Sequence, residues 1–257
     1  MKTKLIILGC GSSLGVPRID GNWGKCKIKN KKNLRSRSSA LIIKGSNKIL
    51  IDASPDMRSQ FLKNKIKNVS SVIFSHEHAD QTNGLFELRP FFYLNKKKIN
   101  IYGNIKTISY LKNRHSYLFR DKKNYPAILK ANVIKQSVFS LGKDSEKIGF
   151  TTIKAKHGTT SCLVYIFEKT AYISDTNDIS LAKNKRLKNL NYLIIDCLKY
   201  KKHPSHFNLK ESIFVHNQLK PKKTILTNLH HDLDYDQLLR KLPKNVIPAY
   251  DGLSINL

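Results

Sequence analysis

Ser71-Val-Ile-Phe-Ser-His76-Glu-His78-Ala-Asp80-Gln-Thr-Asn-Gly84 carries the densest chemical signal in the chain. Val72-Ile73-Phe74 is an apolar run, too short for a helix and suited to a buried strand. Along an extended backbone side chains alternate, so His76, His78 and Asp80 share one side while Glu77 and Ala79 take the other. Two imidazoles and a carboxylate converging beyond a strand end form part of a metal site, whose remaining ligands must come from elsewhere.

Other segments repeat the pattern. Phe150-Thr-Thr-Ile-Lys-Ala-Lys156 alternates like a strand and delivers His157-Gly158. Ala171-Tyr-Ile-Ser174 delivers Asp175, and Tyr192-Leu-Ile-Ile195 delivers Asp196. Thr224-Ile-Leu-Thr227 delivers Asn228, with His230-His231 just beyond. A polar residue at one strand end is commonplace; the recurrence of groups able to coordinate or support a cation is not. Lys48-Ile-Leu-Ile51 runs into Asp52, whose carboxylate at the end of a buried strand needs partners and is expected behind the metal loop.

The rest of the chain reads as scaffold. Leu5 to Leu8 is a strand, followed by the small-residue loop Gly9-Cys-Gly-Ser-Ser-Leu-Gly15, which lacks the Gly-Lys-Ser/Thr of a phosphate-binding loop. A loop without periodicity follows from Arg18 to Arg37. Gly45-Ser-Asn47 then joins the strands Ala40–Ile43 and Lys48–Asp52 as a hairpin. A helix is expected from Pro55, with Met57, Phe61 and Leu62 as its apolar face. Further expectations are a strand at Ile99–Tyr102, a helix from Ile105 to Phe119 and mixed loop and strand from Asp121 to Lys147. Near the end, a helix runs from Leu209 to Leu219 capped by Asn208, another from Tyr235 to Leu242, and a strand closes the chain. Arg89 is placed either on an anionic substrate group or in a structural ion pair. No repeat and no Pro/Ser-rich linker interrupts residues 1–257, so one α/β domain is expected, a two-layered β core with helices on both outer faces.

Composition narrows the class. The 257 residues can bury a sizeable core, and 40% hydrophobic content is ordinary for a soluble protein. No apolar run approaches the roughly 18 residues that span a bilayer. The apolar stretch Leu5–Leu8 also falls short of a secretory signal, so a cytoplasmic location is expected. The four cysteines show no CxxC spacing, and Cys26, in the polar Gly21-Asn-Trp-Gly-Lys-Cys26, reads as a loop thiol rather than a metal ligand. A net charge of +29 draws anionic partners. The lysines are dispersed without aromatic interleaving, however, which suits solvated faces better than a nucleic-acid groove.

The order of Gly-rich loop, Leu-Ile-Asp52, His-x-His-x-Asp, His157-Gly, Ser-Asp175-Thr and a final strand ending near histidines resembles the metallo-β-lactamase superfamily. Gly-Cys-Gly-Ser-Ser-Leu-Gly-Val-Pro, and Ile-Ile-Asp196 followed by His203-Pro-Ser-His206-Phe, resemble its phosphodiesterase branch. That branch holds the cyclic phosphodiesterase of phosphonate breakdown and, more distantly, the tRNA-maturing endonuclease. The resemblance spans nearly the whole chain and implies a four-layer αββα sandwich with a metal site at one edge of the sheets. By position it implies His76, His78 and His157 around one metal, Asp175 bridging, and Asp80 on a second.

Two positions depart from the family pattern: Gln81 and Asn228 stand where it has histidines. Amide oxygen is a harder, weaker donor than imidazole. Three outcomes therefore compete: a second site of carboxylate and amide oxygens favouring Mn²⁺ or a similar ion, substitution by His230 or His231, or one metal and altered or absent activity. The weakened second site in an active hydrolase is the favoured expectation, with one or two Zn or Mn ions per chain. The resemblance further implies hydrolysis by a metal-activated water, with His206 contacting phosphate or protonating the leaving group and Asp196 orienting it; His203 is the less favoured substitute. The expected substrate is a small or cyclic phosphodiester. The alternatives are thioester or lactone hydrolysis on the same fold and a non-catalytic RNA-binding relative. Nucleic acid is not the favoured partner, no membrane is expected, and a homodimer stays open.

Overall fold

Strand segments alternate their apolar side chains between two faces, and this alternation builds the molecule. A computed structural model describes residues 1–257. One sheet contains β1 (Lys4–Gly9), β2 (Ser39–Lys44), β3 (Asn47–Ile51), β4 (Ser71–Ile73), β5 (Ile99–Gly103), β6 (Leu129–Val133) and the last strand, β14 (Leu253–Asn256), in the order β14-β1-β2-β3-β4-β5-β6. The other contains β7 (Val138–Leu141), β8 (Ile148–His157), β9 (Thr160–Phe167), β10 (Thr170–Ile173), β11 (Tyr192–Asp196), β12 (Lys223–Thr227) and β13 (Val246–Pro248), in the order β13-β12-β11-β10-β9-β8-β7. Each sheet is half antiparallel and half parallel: β3 to β6 run parallel in the first, β10 to β13 in the second.

Three apolar layers follow from the pleat. Leu5, Ile7, Ala40, Ile42, Ile49 and Ile51 point between the sheets and meet Tyr172, Ile194 and Ile225 from the second sheet. Their neighbours Ile6, Leu8, Leu41 and Leu50 point outward to a layer shared with α1 (Met57–Lys63) and the longer helix Ile105–Arg114. On the opposite side Ala171, Ile173, Leu193, Ile195 and Leu226 pack against the helices Leu209–Leu219 and Tyr235–Lys241. The architecture is the αββα sandwich that the sequence implies.

Local details refine the expectations. Leu62 is 63% exposed, and Gln60 takes the buried place on α1, where its amide holds Ser36 and the Arg37 carbonyl. The helix expected to Phe119 ends at Arg114 and is followed by a 3₁₀ turn, Ser116–Leu118. Asn208 caps its helix through a reciprocal pair with Glu211, satisfying two otherwise unpaired N–H groups. Strand β9 carries no strand-end ligand and is a further element of the core. Arg89 makes no ion pair: its guanidinium lies over the Phe86 and Tyr125 rings, 5.3 and 4.9 Å from their centres. Cys26 lies in a loop, as expected, but is buried there, its Sγ 3.3 Å from the His231 carbonyl. No helix is long and apolar enough to cross a membrane.

Candidate metal centre

The parallel halves of the two sheets deliver their polar residues to one edge. β3 ends at Asp52, β4 at Ser75-His76, β10 at Ser174-Asp175, β11 at Asp196 and β12 at Asn228. Carboxyl ends of parallel strands are the usual place for a site in such sheets, because the chain leaves the sheet there and its groups face a shared crevice. His157 joins them at the carboxyl end of the long strand β8, which is antiparallel to β9 and therefore runs in the same direction as β10.

His76, His78 and His157 converge. Their ring centres are 4.5, 4.9 and 5.0 Å apart pairwise, and each offers a nitrogen within 4.8 Å of the others. The extended alternation places His76 and His78 together, as expected, but stops there. Ala79–Thr82 forms a single helical turn, so Asp80 arrives by that turn rather than by alternation.

Hydrogen bonds fix the imidazoles. Ser75 donates its N–H and hydroxyl to Asp52 at 2.7 and 2.8 Å, and its Oγ lies 3.0 Å from His76 Nδ1. His157 Nδ1 lies 2.8 Å from the Ser205 carbonyl and must donate to it. Its Nε2 is therefore a lone pair, 3.3 Å from His78 Nδ1. His76 Nε2 is buried and has no partner at all. Burial pushes the His76 pKa down to about 3, so the ring is neutral at physiological pH. An unpartnered lone pair on His76 and ring nitrogens of His78 and His157 facing the same point make a group that could hold a borderline divalent cation.

Across from the triad stands His206, whose ring centre is 4.7 Å from that of His157. Its Nδ1 is 2.8 Å from Asp196 and 3.8 Å from Asp175. Burial opposes the charge on His206, yet Asp196 and Asp175 outweigh it and push the pKa up to about 9. Burial also raises Asp196 to about 6, against the pull of His206, and raises Asp80 to about 6 with help from Asp175.

Gln81 and Asn228 turn nitrogen, not oxygen, toward the carboxylates. Gln81 Nε2 donates to Asp80 at 3.1 Å and Asp175 at 3.3 Å; Asn228 Nδ2 donates to Asp196 at 3.1 Å and Asp175 at 3.3 Å. His230 and His231 group with Asp232, His230 Nδ1 lying 3.3 Å from its carboxylate.

A cavity of about 180 Å³ opens over this centre, bordered by Ser12, Asp80, Lys199, His203, His206 and His230. Sequence reasoning passed over Ser12, inside the Gly-rich loop, and Lys199, between Asp196 and His203, because neither residue type carries a ligand signature there. It also missed Ser75, whose serine type carries no metal signature.

Residues 47–230 match the family model of the β-lactamase superfamily domain. The chain belongs to the β-lactamase superfamily. Among solved structures, a diphosphatase of the PhnP family shares 30% identity with a TM-score of 0.91, covering 100% of this chain and 98% of that one. Human short-form tRNase Z shares the fold, with 15% identity, a TM-score of 0.68 and 98% coverage of each chain. A curated relative from Porphyromonas gingivalis, named octanoyltransferase, is 31% identical over 255 residues, 97% of this chain. The chain spans about half that relative's length (51%). The three-imidazole cluster is a group able to hold a metal ion in this member of the superfamily.

Proposed function

We propose that the protein hydrolyses small phosphodiesters or diphosphates. The observation carrying this reading is the His206–Asp196 pair set directly against the three-imidazole cluster, under a small cavity rimmed by Lys199, His203 and His230. A divalent cation held by His76, His78, His157 and Asp175 would supply Lewis-acid stabilisation of developing negative charge and acidify a water. The chain's own residues do the rest. Asp196 occupies His206 Nδ1, which leaves Nε2 as the atom free to face the cavity and protonate a departing oxygen. The Lys199 ammonium and the donors of His203 and Ser12 suit anionic oxygens at the mouth. Asp80 lies on the floor, joined through Gln81 to Asp175. About 180 Å³ holds a phosphoryl group and a small substituent, which favours small substrates over a polymer threaded through the site. The likeness to the PhnP-family diphosphatase over the full chain supports the same substrate chemistry.

A second reading, acyl thioester hydrolysis, is favoured by the half-length match to the octanoyltransferase. The cavity weighs against it, since Leu14 and Leu198 are its only apolar lining and an eight-carbon chain would find little to bury against. Purified protein assayed with Mn²⁺ or Zn²⁺ on bis-p-nitrophenyl phosphate, a methyl diphosphate and an octanoyl thioester side by side separates the two. The expected result is phosphoester turnover abolished in His78→Ala and reduced about 10²–10⁴-fold in His206→Ala, with metal content retained in the latter. Thioester turnover alone would replace the first reading with the second.

A further inference from the structure

We propose that the chain holds a single metal ion, at the three-imidazole cluster, and that the Gln81 and Asn228 amides close the position a second cation would take. The inference rests on the metal-dependent reading above but on no choice of substrate.

The two halves of the centre are opposite in kind. On the His76, His78 and His157 side, ring nitrogens converge and no amide reaches them: His76 Nε2 is orphaned, and the partner of His157 Nε2 is another ring nitrogen, His78 Nδ1, at 3.3 Å. On the Asp80 side, Asp80 Oδ2 and both oxygens of Asp175 and of Asp196 already have donors. Gln81 Nε2 spans Asp80 and Asp175, and Asn228 Nδ2 spans Asp175 and Asp196, at 3.1–3.3 Å. Asp175 thus receives one amide on each of its oxygens, Asn228 on Oδ1 and Gln81 on Oδ2.

Offering oxygen to a cation there requires rotating both amides. Rotation would set carbonyl oxygens against Asp80, Asp175 and Asp196 and strand the N–H groups in a buried site, with Gln81 at 0% and Asn228 at 1% exposure; the one donor a rotated Asn228 oxygen would meet, His206 Nδ1 at 3.0 Å, is already bonded to Asp196. Gln81 Oε1 is buried without a partner in the present arrangement. Rotating that amide exchanges one orphaned acceptor for two orphaned donors, so the orphan gives no incentive to rotate. Imidazole would not face this conflict, because a neutral ring presents a lone pair toward a cation while its other nitrogen donates elsewhere. Two substitutions from imidazole to amide therefore convert a ligand pair into a pair of hydrogen-bonded bridges. Asp80 becomes an anchor for Gln81 rather than a ligand.

The test counts metal rather than turnover. Full-length protein purified without chelator, saturated with Mn²⁺ and desalted, is analysed by plasma mass spectrometry and by electron paramagnetic resonance. The wild type should carry one equivalent, with the spectrum of an isolated ion. Gln81→His combined with Asn228→His should carry two equivalents and show exchange coupling between them. Histidine is among the residues that tolerate the left-handed backbone of position 228, whose φ is 60°. If the double variant does not fold, the Asn228→His single variant carries the same comparison. Two equivalents or a coupled spectrum in the wild type would overturn the single-ion assignment while leaving the hydrolase reading intact. A folded histidine variant that still holds one equivalent would overturn the role given to the amides. No bound metal in the wild type would overturn this proposal and the metal-dependent reading together, whereas failure on phosphoester substrates would touch only the latter's substrate.

Discussion

Asp52→Asn tests how a buried carboxylate without metal contact sets the cation affinity. Asp52 is fully buried and receives both the N–H and the hydroxyl of Ser75, at 2.7 and 2.8 Å. Because the hydroxyl donates to Asp52, Ser75 Oγ must accept from His76 Nδ1 at 3.0 Å, and His76 Nε2 is left as a lone pair in the centre. Asparagine keeps one oxygen for the Ser75 N–H and turns an NH₂ toward the hydroxyl. Ser75 must then donate onward to His76 Nδ1, and the ring proton moves to Nε2, where it blocks coordination. Loss of an outer hydrogen-bond partner of a metal-ligating histidine lowers affinity about 10–100-fold, or about 1.4–2.7 kcal/mol. Competition with a chromophoric chelator measures this directly, with circular dichroism confirming that the variant is folded. Unchanged affinity in a folded Asp52→Asn protein would refute the relay. Burial drives the Asp52 pKa well above the ordinary range, against the opposing bonds from Ser75.

Three further outcomes are expected. Glu77 accepts from Thr107 and Thr160, each at 3.2 Å, and ties the metal loop to both; Glu77→Ala should lower stability by about 1–3 kcal/mol in urea unfolding, mainly from the hydroxyls left unpaired, since Lys106 is 63% exposed and contributes little. A Cβ at Gly84 would run into the Ser54 carbonyl, so Gly84→Ala should cost about 1–3 kcal/mol or more and weaken metal binding as the loop shifts; a native melting temperature would contradict this. Asp234 caps its helix through Gln237 N–H and also receives Lys27 N–H and the Asn33 amide. Burial would raise its pKa, but these bonds prevail and lower it. A folded pKa below the unfolded ~3.9 means that its contribution is present above that value and is lost as pH falls through the folded one. The gap between wild type and Asp234→Ala, about 2 kcal/mol at pH 7, should shrink below pH 4 in denaturant titrations.

Much of this site is legible in one dimension because its ligands lie at strand ends, and strand ends are marked by the change from apolar alternation to polar residues. His76, His78, His157, Asp175 and Asp196 could each be read that way, and the family pattern placed Gln81 and Asn228 where imidazoles are expected. The alternation that pairs His76 with His78 is a local property of extended backbone and needs no fold to express it.

What the tertiary structure decided is direction and partnership. Whether Gln81 and Asn228 present oxygen or nitrogen depends on which atoms of Asp80, Asp175 and Asp196 face them, and those arrive from other strands. Ser75, which bonds to Asp52 from the preceding strand and sits beside His76 Nδ1, and Ser205, whose carbonyl sets His157, are common residues with no signature until the two sheets close over one another. The identity of a donor is written in the chain; the side on which its lone pair ends up is a property of packing between segments distant in sequence.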